Sequence, residues 1–236
     1  LKNKLIKIIK DNNTTKRNIA YGNYLLSRYE KKIKNYEGEL NYLKKGHQCF
    51  FDSKKKKFEF GVKYCFDDIL QISKEANISK FNNKNDYDIK PIFIIGVPRC
   101  GSTLVEKIIA SGTKYITVGE ETTILHSFIH QKISKKESLN LDKENFQKRI
   151  IDNYKQKGLI QEKSDYTFTD KSLENFFYVN LIKEIFPNAK IINCRRNVLS
   201  SIMSIFQNNL AELAWTHDLE NIFKYFNNYF EIIKTF

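Results

Sequence analysis

The chain has 236 residues and 27.9 kDa, of which 41% are apolar and 14% aromatic. That is enough for a sizeable core and excludes a disordered or fibrous chain, and no stretch approaches the roughly 18–20 uninterrupted apolar residues of a membrane span. The net charge of +13 is uneven, since residues 1–90 carry 21 Lys and Arg against 11 Asp and Glu while residues 91–236 are almost balanced. It reads as the solvated faces of a lysine-rich chain, so no nucleic-acid partner is expected. The chain opens on Leu1 and closes on Phe236 inside an amphipathic run, so both ends read as cut and the C-terminal domain as truncated.

Residues 1–76 form the first region. Ile19, Tyr21, Tyr24, Leu25, Tyr29, Ile33 and Tyr36 recur at three- and four-residue steps, and Leu40, Leu43 and His47 continue the stripe. A second amphipathic run follows from Phe58 through Val62, Cys65, Phe66, Ile69 and Leu70 to Ile72. Aromatic-rich helix pairs of about 34 residues suggest a tetratricopeptide-like (TPR-like) segment, a possible surface for a protein partner. Asn- and Lys-rich residues 77–90 read as a linker.

From Pro91 the pattern changes. Ile92-Phe93-Ile94-Ile95, closed by Gly96, reads as a buried parallel strand, followed by a helix with Leu104, Ile108 and Ile109. A strand-like Tyr166–Thr169 leads into a helix from about Glu174 to Phe186, and Lys190–Cys194 reads as a second buried strand. A helix carries Leu199, Ile202, Met203, Ile205 and Phe206. A last one, starting at Asp218, turns Leu219, Ile222, Phe223, Phe226, Phe230 and Ile233 inward. Strand–helix alternation over 91–236 predicts an α/β domain, a three-layer parallel sheet of P-loop type with the helical segment as an N-terminal appendage.

The four cysteines, Cys49, Cys65, Cys100 and Cys194, show no Cys-x-x-Cys spacing, and the four histidines no metal-ligand pattern. His126 and His130 read as two surface histidines on one helical face. No metal is expected, and reduced thiols lean toward a cytoplasmic protein.

The most informative segment is Gly96-Val97-Pro98-Arg99-Cys100-Gly101-Ser102-Thr103, between a strand and a helix. Its two glycines have the G-x-x-x-x-G spacing of a phosphate loop, whose backbone N–H groups and helix N-terminus hold an anion. Ser102 stands where such a loop carries the lysine of an ATP site, which disfavours an ordinary kinase or ATPase, and Arg99 supplies a cation inside the loop instead.

Pro98–Leu104 resembles the Pro-Arg-Ser-Gly-Thr-Thr-Leu loop of sulfotransferases, which binds the 5′-phosphosulfate of 3′-phosphoadenosine 5′-phosphosulfate (PAPS). The family's second signature is an Arg after a strand with a Ser eight residues on, both at the 3′-phosphate; Arg196 and Ser204 match it. Phe186–Ile192 and Cys194–Arg196 are similar to the tetratricopeptide-containing sulfotransferases and their relative, protein-tyrosine sulfotransferase. The resemblance covers about residues 15–236 and implies PAPS as cosubstrate, held by Arg99, Cys100, Gly101, Ser102, Thr103, Leu104, Arg196 and Ser204. Cys100 replaces the usual Ser and Ser102 a Thr, both small, while Asn197-Val198 replaces Asp-Pro and Arg195 falls outside the eight-residue step.

Sulfuryl transfer needs a base for the acceptor hydroxyl and fixed cations at the oxygen bridging sulfur to phosphate. Gly119-Glu120-Glu121-Thr122 offers two carboxylates; the resemblance puts the base on Glu121, with Glu120 as fallback. Asp170-Lys171-Ser172 resembles the segment whose lysine lies beside the sulfonate, which implies Lys171 and Arg99 as the neutralising cations. Thr123 stands where the tyrosine enzyme carries an Arg for acidic peptides, so carbohydrate, lipid, phenol or protein tyrosine all stay open as hydroxyl acceptors. Trp215 reads as packing or pocket lining. Two other readings stand beside this one: another phosphate-loop transferase such as a small-molecule kinase, and a non-catalytic helical-repeat interaction protein.

Overall fold

The computed structural model describes residues 2–71, 88–112, 115–135 and 143–236, so Ile72 and residues 77–87 of the expected linker lie outside the described residues. The chain forms two compact units, Leu1–Asp67 with Val198–Asn228 and Asp68–Asn197 with Tyr229–Phe236.

The first unit contains α1 (Lys2–Ile9), α2 (Lys16–Lys32), α3 (Tyr36–Ser53) and α4 (Lys55–Lys63), which runs into a π turn at Tyr64–Asp68. Two caps start the central pair. Thr15 accepts the Asn18 N–H at 3.3 Å, and Asn35 accepts the Gly38 N–H at 3.1 Å, each occupying a donor that the first helical turn leaves unbonded. The inward face of α2 differs from the aromatic stripe expected of it: Tyr21, Leu25, Tyr29, Ile33 and Tyr36 are exposed, whereas Ala20, Tyr24, Leu26, Ser27 and Glu30 are buried. Two stripes compete on this helix, and the smaller one wins because it lets neighbours approach closely. A Cβ on Gly22 would stand 2.3 Å from Ile9, and one on Gly46 2.8 Å from the Tyr24 ring. The buried Glu30 is paired with Lys2 at 2.6 Å.

The same unit takes in α9 (Val198–Gln207, α5 to α8 belonging to the second unit), a 3-10 turn at Ala214–His217 and most of α10 (Leu219–Ile233). Asp218 caps α10 by accepting the Asn221 N–H at 2.9 Å. Ile222 and Phe226 are buried as expected, but Phe223 is exposed, as are Leu199 and Met203 on α9, whose buried side is Ser201, Ile202, Ile205 and Phe206. At the centre, the His47 Nε2–H donates to the Phe206 carbonyl at 2.7 Å. Its Nδ1 is therefore the acceptor, its single lone pair shared between the Tyr24 hydroxyl at 3.2 Å and His217 Nδ1 at 3.0 Å. The His217 ring stacks on both Phe50 and Phe58 with centroids 5.0 Å apart. Burial holds His47 down to about 4 and, helped by His47, His217 down to about 3, so both rings are neutral at physiological pH.

The second unit is built on a parallel sheet of order β2-β1-β3, with β1 at Lys90–Gly96, β2 at Thr167–Asp170 and β3 at Lys190–Cys194. Isoleucines and Phe93 bury β1 on both faces between its neighbours. Thr117 extends the pairing beyond β2, donating to the Thr167 carbonyl and accepting from the Thr169 N–H at 2.9 Å. β3 is less buried than its apolar run predicts: Lys190 is exposed, Ile191–Asn193 are half-buried and Cys194 alone is fully inside. It is the outer strand of the described sheet, with only one strand neighbour. Around the sheet lie α5 (Ser102–Ala110), α6 (Ile124–Ser134), α7 (Lys143–Gln156) and α8 (Val179–Ile185). The helix expected from Glu174 begins as a 3-10 turn at Leu173–Tyr178 and becomes α-helical only at α8. On α6, His126 is half-buried against the Tyr178 hydroxyl at 3.2 Å rather than a surface residue, and burial lowers it to about 4. No helix among the described residues is long and apolar enough to cross a membrane.

Candidate functional site

The carboxyl ends of β1 and β3 lie side by side, with Gly96 opposite Cys194, and this edge positions the glycine turn. Gly96 has φ 155°, and a Cβ there would meet the Cys194 carbonyl at 2.7 Å, so the close strand approach requires glycine. Gly101, at φ 99°, is the N-cap of α5; the space around it is open, so its backbone angle alone demands glycine. Arg99 also sits in the left-handed region, at φ 69°. Such a turn points backbone N–H groups and the positive end of α5 toward one place, the physical requirement for holding an anion. Arg99, Thr103 and Leu104 are exposed at this turn, whereas Cys100 and Ser102 are buried beneath it. The Cys194 thiol, below the loop, is pushed up to about 11 by burial and by neighbouring Cys100.

Arg196 follows β3 at the same edge and is exposed. Arg195 has a different environment: with the Asn193 amide turned to satisfy its neighbours, its oxygen accepts from Arg195 Nε at 3.1 Å. Ser204 is half-buried on α9, in the other unit. Trp215 also belongs to that unit, stacked flat on Tyr225 at 3.8 Å.

The two residues assigned to base and cation meet directly. Lys171 Nζ lies 2.8 Å from Glu121 Oε1, with the lysine buried just past β2 and the carboxylate exposed. The turn carrying Glu121 is held tightly: the Glu120 carbonyl accepts the Lys171 N–H at 2.7 Å, and Glu120 and Thr123 both adopt left-handed φ. Thr123 N–H donates to the Ser172 hydroxyl at 2.8 Å. Beneath the pair, Asp170 is fully buried. Its Oδ2 accepts the Thr122 and Tyr154 hydroxyls, each at 2.6 Å, and its Oδ1 the Ser172 N–H at 2.9 Å. Burial first, and then the charge of Asp170, drive the Tyr154 hydroxyl well above its ordinary value, so it stays protonated and donating. Burial, with Asp170 and Glu121 nearby, likewise raises the Glu174 carboxyl.

Tyr154, Thr122 and Asp170 escaped the sequence reading as site-building residues. Tyr154 gave no signal, being one aromatic in a helix some 50 Å of extended chain from Asp170; Asp170 and Thr122 were legible only as neighbours of Lys171 and Glu121.

A glycine turn between the central strand and a helix, with cations and carboxylates at the carboxyl edge of a parallel sheet, is an arrangement whose chemistry suits an anion. A family model described as "Sulfotransferase family" matches residues 91–234. The chain belongs to the sulfotransferase family. An uncharacterized protein of Aquifex aeolicus is 32% identical over 132 residues, covering 52% of this chain and 17% of that protein, so the chain spans about a sixth of that relative's length. No solved structure matches.

Proposed function

We propose that the chain uses PAPS as sulfuryl donor, with Glu121 as general base and Lys171 and Arg99 as the cations that stabilise the leaving phosphate. The observation that carries this reading is the 2.8 Å contact between buried Lys171 and exposed Glu121 past the end of β2, the strand beside the glycine turn. An ammonium has three donors; one goes to Glu121, and the same group can meet negative charge building on a departing oxygen. The exposed carboxylate is free to receive an acceptor proton from solvent-side substrate. On this reading Gly101, Ser102, Thr103, Leu104 and Cys100 surround the 5′ end of the nucleotide, while Arg196 and Ser204 hold the 3′-phosphate. Ser102 in place of a phosphate-loop lysine speaks against ATP. Arg99 in the glycine turn and Lys171 past the end of β2 supply two cations, so the reading needs no metal.

Residues 1–76 are proposed as a TPR-like appendage and 91–236 as the transferase domain, akin to the tetratricopeptide-containing and protein-tyrosine sulfotransferases. Thr123 in place of an Arg favours a carbohydrate, lipid or small phenol over an acidic tyrosine peptide. Four free thiols fit a reducing compartment.

Calorimetry of the chain against adenosine 3′,5′-bisphosphate, AMP and ATP tests the donor site. The bisphosphate is expected to bind tightest, and Arg196→Ala to lose that discrimination; equal affinity of the unaltered chain for AMP and the bisphosphate would falsify the assignment.

A further inference from the structure

A second buried carboxylate stands behind the base turn and is used by none of the steps above. Glu106 lies on α5, the helix that the glycine turn starts, four residues beyond Ser102, and is only 2% exposed. Its Oε1 accepts two hydrogen bonds, from the Thr169 hydroxyl at 2.7 Å and from the Glu120 backbone N–H at 3.1 Å. Thr169, fully buried on β2, in turn accepts the Gly119 N–H at 3.0 Å, which fixes its own proton toward Glu106. A Cβ on Gly119 would come within 2.0 Å of the Thr169 carbonyl, so the turn lies directly against the strand.

Consider what this does to Glu120. Its φ is 52°, a left-handed conformation that a residue with a Cβ adopts only when its surroundings enforce it. Both of its peptide groups are enforced here: the N–H by the Glu106 carboxylate, the C=O by the Lys171 N–H at 2.7 Å. The next residue is Glu121. We infer that Glu106, through Thr169 and the Glu120 N–H, is a positioning residue that locks the Glu120–Glu121 turn to the anion-loop helix, so that the carboxylate at 121 is presented to Lys171 in register with whatever the glycine turn holds. The inference rests on the proposed role of Glu121.

The role asks for an acceptor at Oε1, buried and rigid, rather than for a charge. Glutamine keeps that acceptor; alanine removes it. Removing it frees a strained turn, and a displacement of about 1 Å at a catalytic group costs on the order of 10²-fold in rate. The experiment compares the unaltered chain with Glu106→Ala, Glu106→Gln and Thr169→Val. Hydrogen exchange followed by mass spectrometry reads residues 115–123 directly and needs no substrate. Exchange there should quicken at least about tenfold in Glu106→Ala and Thr169→Val, equivalent to one lost hydrogen bond, with strand β1 unchanged and with Glu106→Gln as slow as the parent. Release of labelled sulfate from PAPS supplies the second readout. Glu106→Ala should lose about 10²-fold in kcat with the KM for PAPS within about twofold, and Glu106→Gln should recover most of it. Unchanged exchange over 115–123 in Glu106→Ala overturns the inference whatever the turnover. So does a Glu106→Gln variant as impaired as Glu106→Ala, or a loss confined to KM. If the unaltered chain neither binds nor turns over PAPS, the proposed donor fails, while the exchange arm still decides whether Glu106 locks the turn.

Discussion

The two units bury ionisable groups in opposite ways. In the helical unit, His47 and His217 are sandwiched among Phe50, Phe58, Phe206 and Tyr24, and burial strips both of charge. In the α/β unit, Asp170 and Lys171 are equally buried, yet each is surrounded by polar partners suited to a charge: three donors around Asp170, a carboxylate on Lys171. Taking a polar group out of water costs desolvation, and a full set of hydrogen-bonding partners offsets part of that cost. A polar network of that kind is worth maintaining where charge must act on something else, and it lies beside the glycine turn.

The largest effect expected of this difference is on turnover. Glu121→Gln should retain binding of adenosine 3′,5′-bisphosphate and lose roughly 10²–10⁴-fold in kcat for transfer from PAPS, measured with labelled sulfate. A turnover equal to that of the parent would move the base to Glu120. Lys171→Met, which keeps the buried stem, is expected to cost about 10²–10³-fold in kcat, with nucleotide affinity changed far less. If instead affinity collapses while kcat stands, Lys171 binds the ground state and is not a transition-state cation.

The histidine pair predicts a smaller and purely thermodynamic effect. Their folded values, about 4 and about 3, lie below the ordinary 6.5, so the unfolded chain takes up protons first as pH falls. Their contribution is complete above pH 6.5 and is lost progressively below it, by about 1.4 kcal/mol per histidine for each pH unit until the folded values are reached. Urea midpoints measured from pH 7 to pH 5 should show that slope, and His217→Phe, which keeps a ring between Phe50 and Phe58, should flatten it. Equal slopes in parent and variant would mean that the ring is charged or accessible in the fold.

The smallest effect belongs to the exposed counterpart of the Lys171–Glu121 pair. Glu212 meets Lys54 at 3.1 Å and Lys57 at 2.9 Å, and these lysines draw its carboxyl down to about 2. Solvent screens such pairs, so Glu212→Gln should leave the thermal midpoint in 150 mM salt unchanged. A clear drop would show that this surface cluster is more ordered than its exposure implies.

Much of the α/β unit was legible from local chemistry alone. Ile92–Ile95 closed by Gly96 could hardly be anything but a buried strand, and the G-x-x-x-x-G spacing marked the tight turn between it and the next helix. The helical periods of the first region likewise announced helices there, whereas the break between α2 and α3 and the caps Thr15 and Asn35 emerged only from the structure. Which side of α2 faces inward was not legible, because Tyr21–Leu25–Tyr29 and Ala20–Tyr24–Ser27 have the same period, and only the closeness that Gly22 and Gly46 permit chose between them. Nor was the exposure of β3, since an apolar pentapeptide does not say how many strands will flank it.

Residue types and their spacing therefore determined where the strand, the tight glycine turn and the following helix form, because glycine angles, strand burial and helix starts are local properties. Only the tertiary structure decided that Lys171 meets Glu121, that Tyr154 and Thr122 converge on Asp170, and that Glu106 reaches the Glu120 N–H. Each of those contacts joins residues 14 to 50 positions apart. Their meeting depends on the parallel order of β2 and β1 and the crossing of α5, which no window of sequence contains.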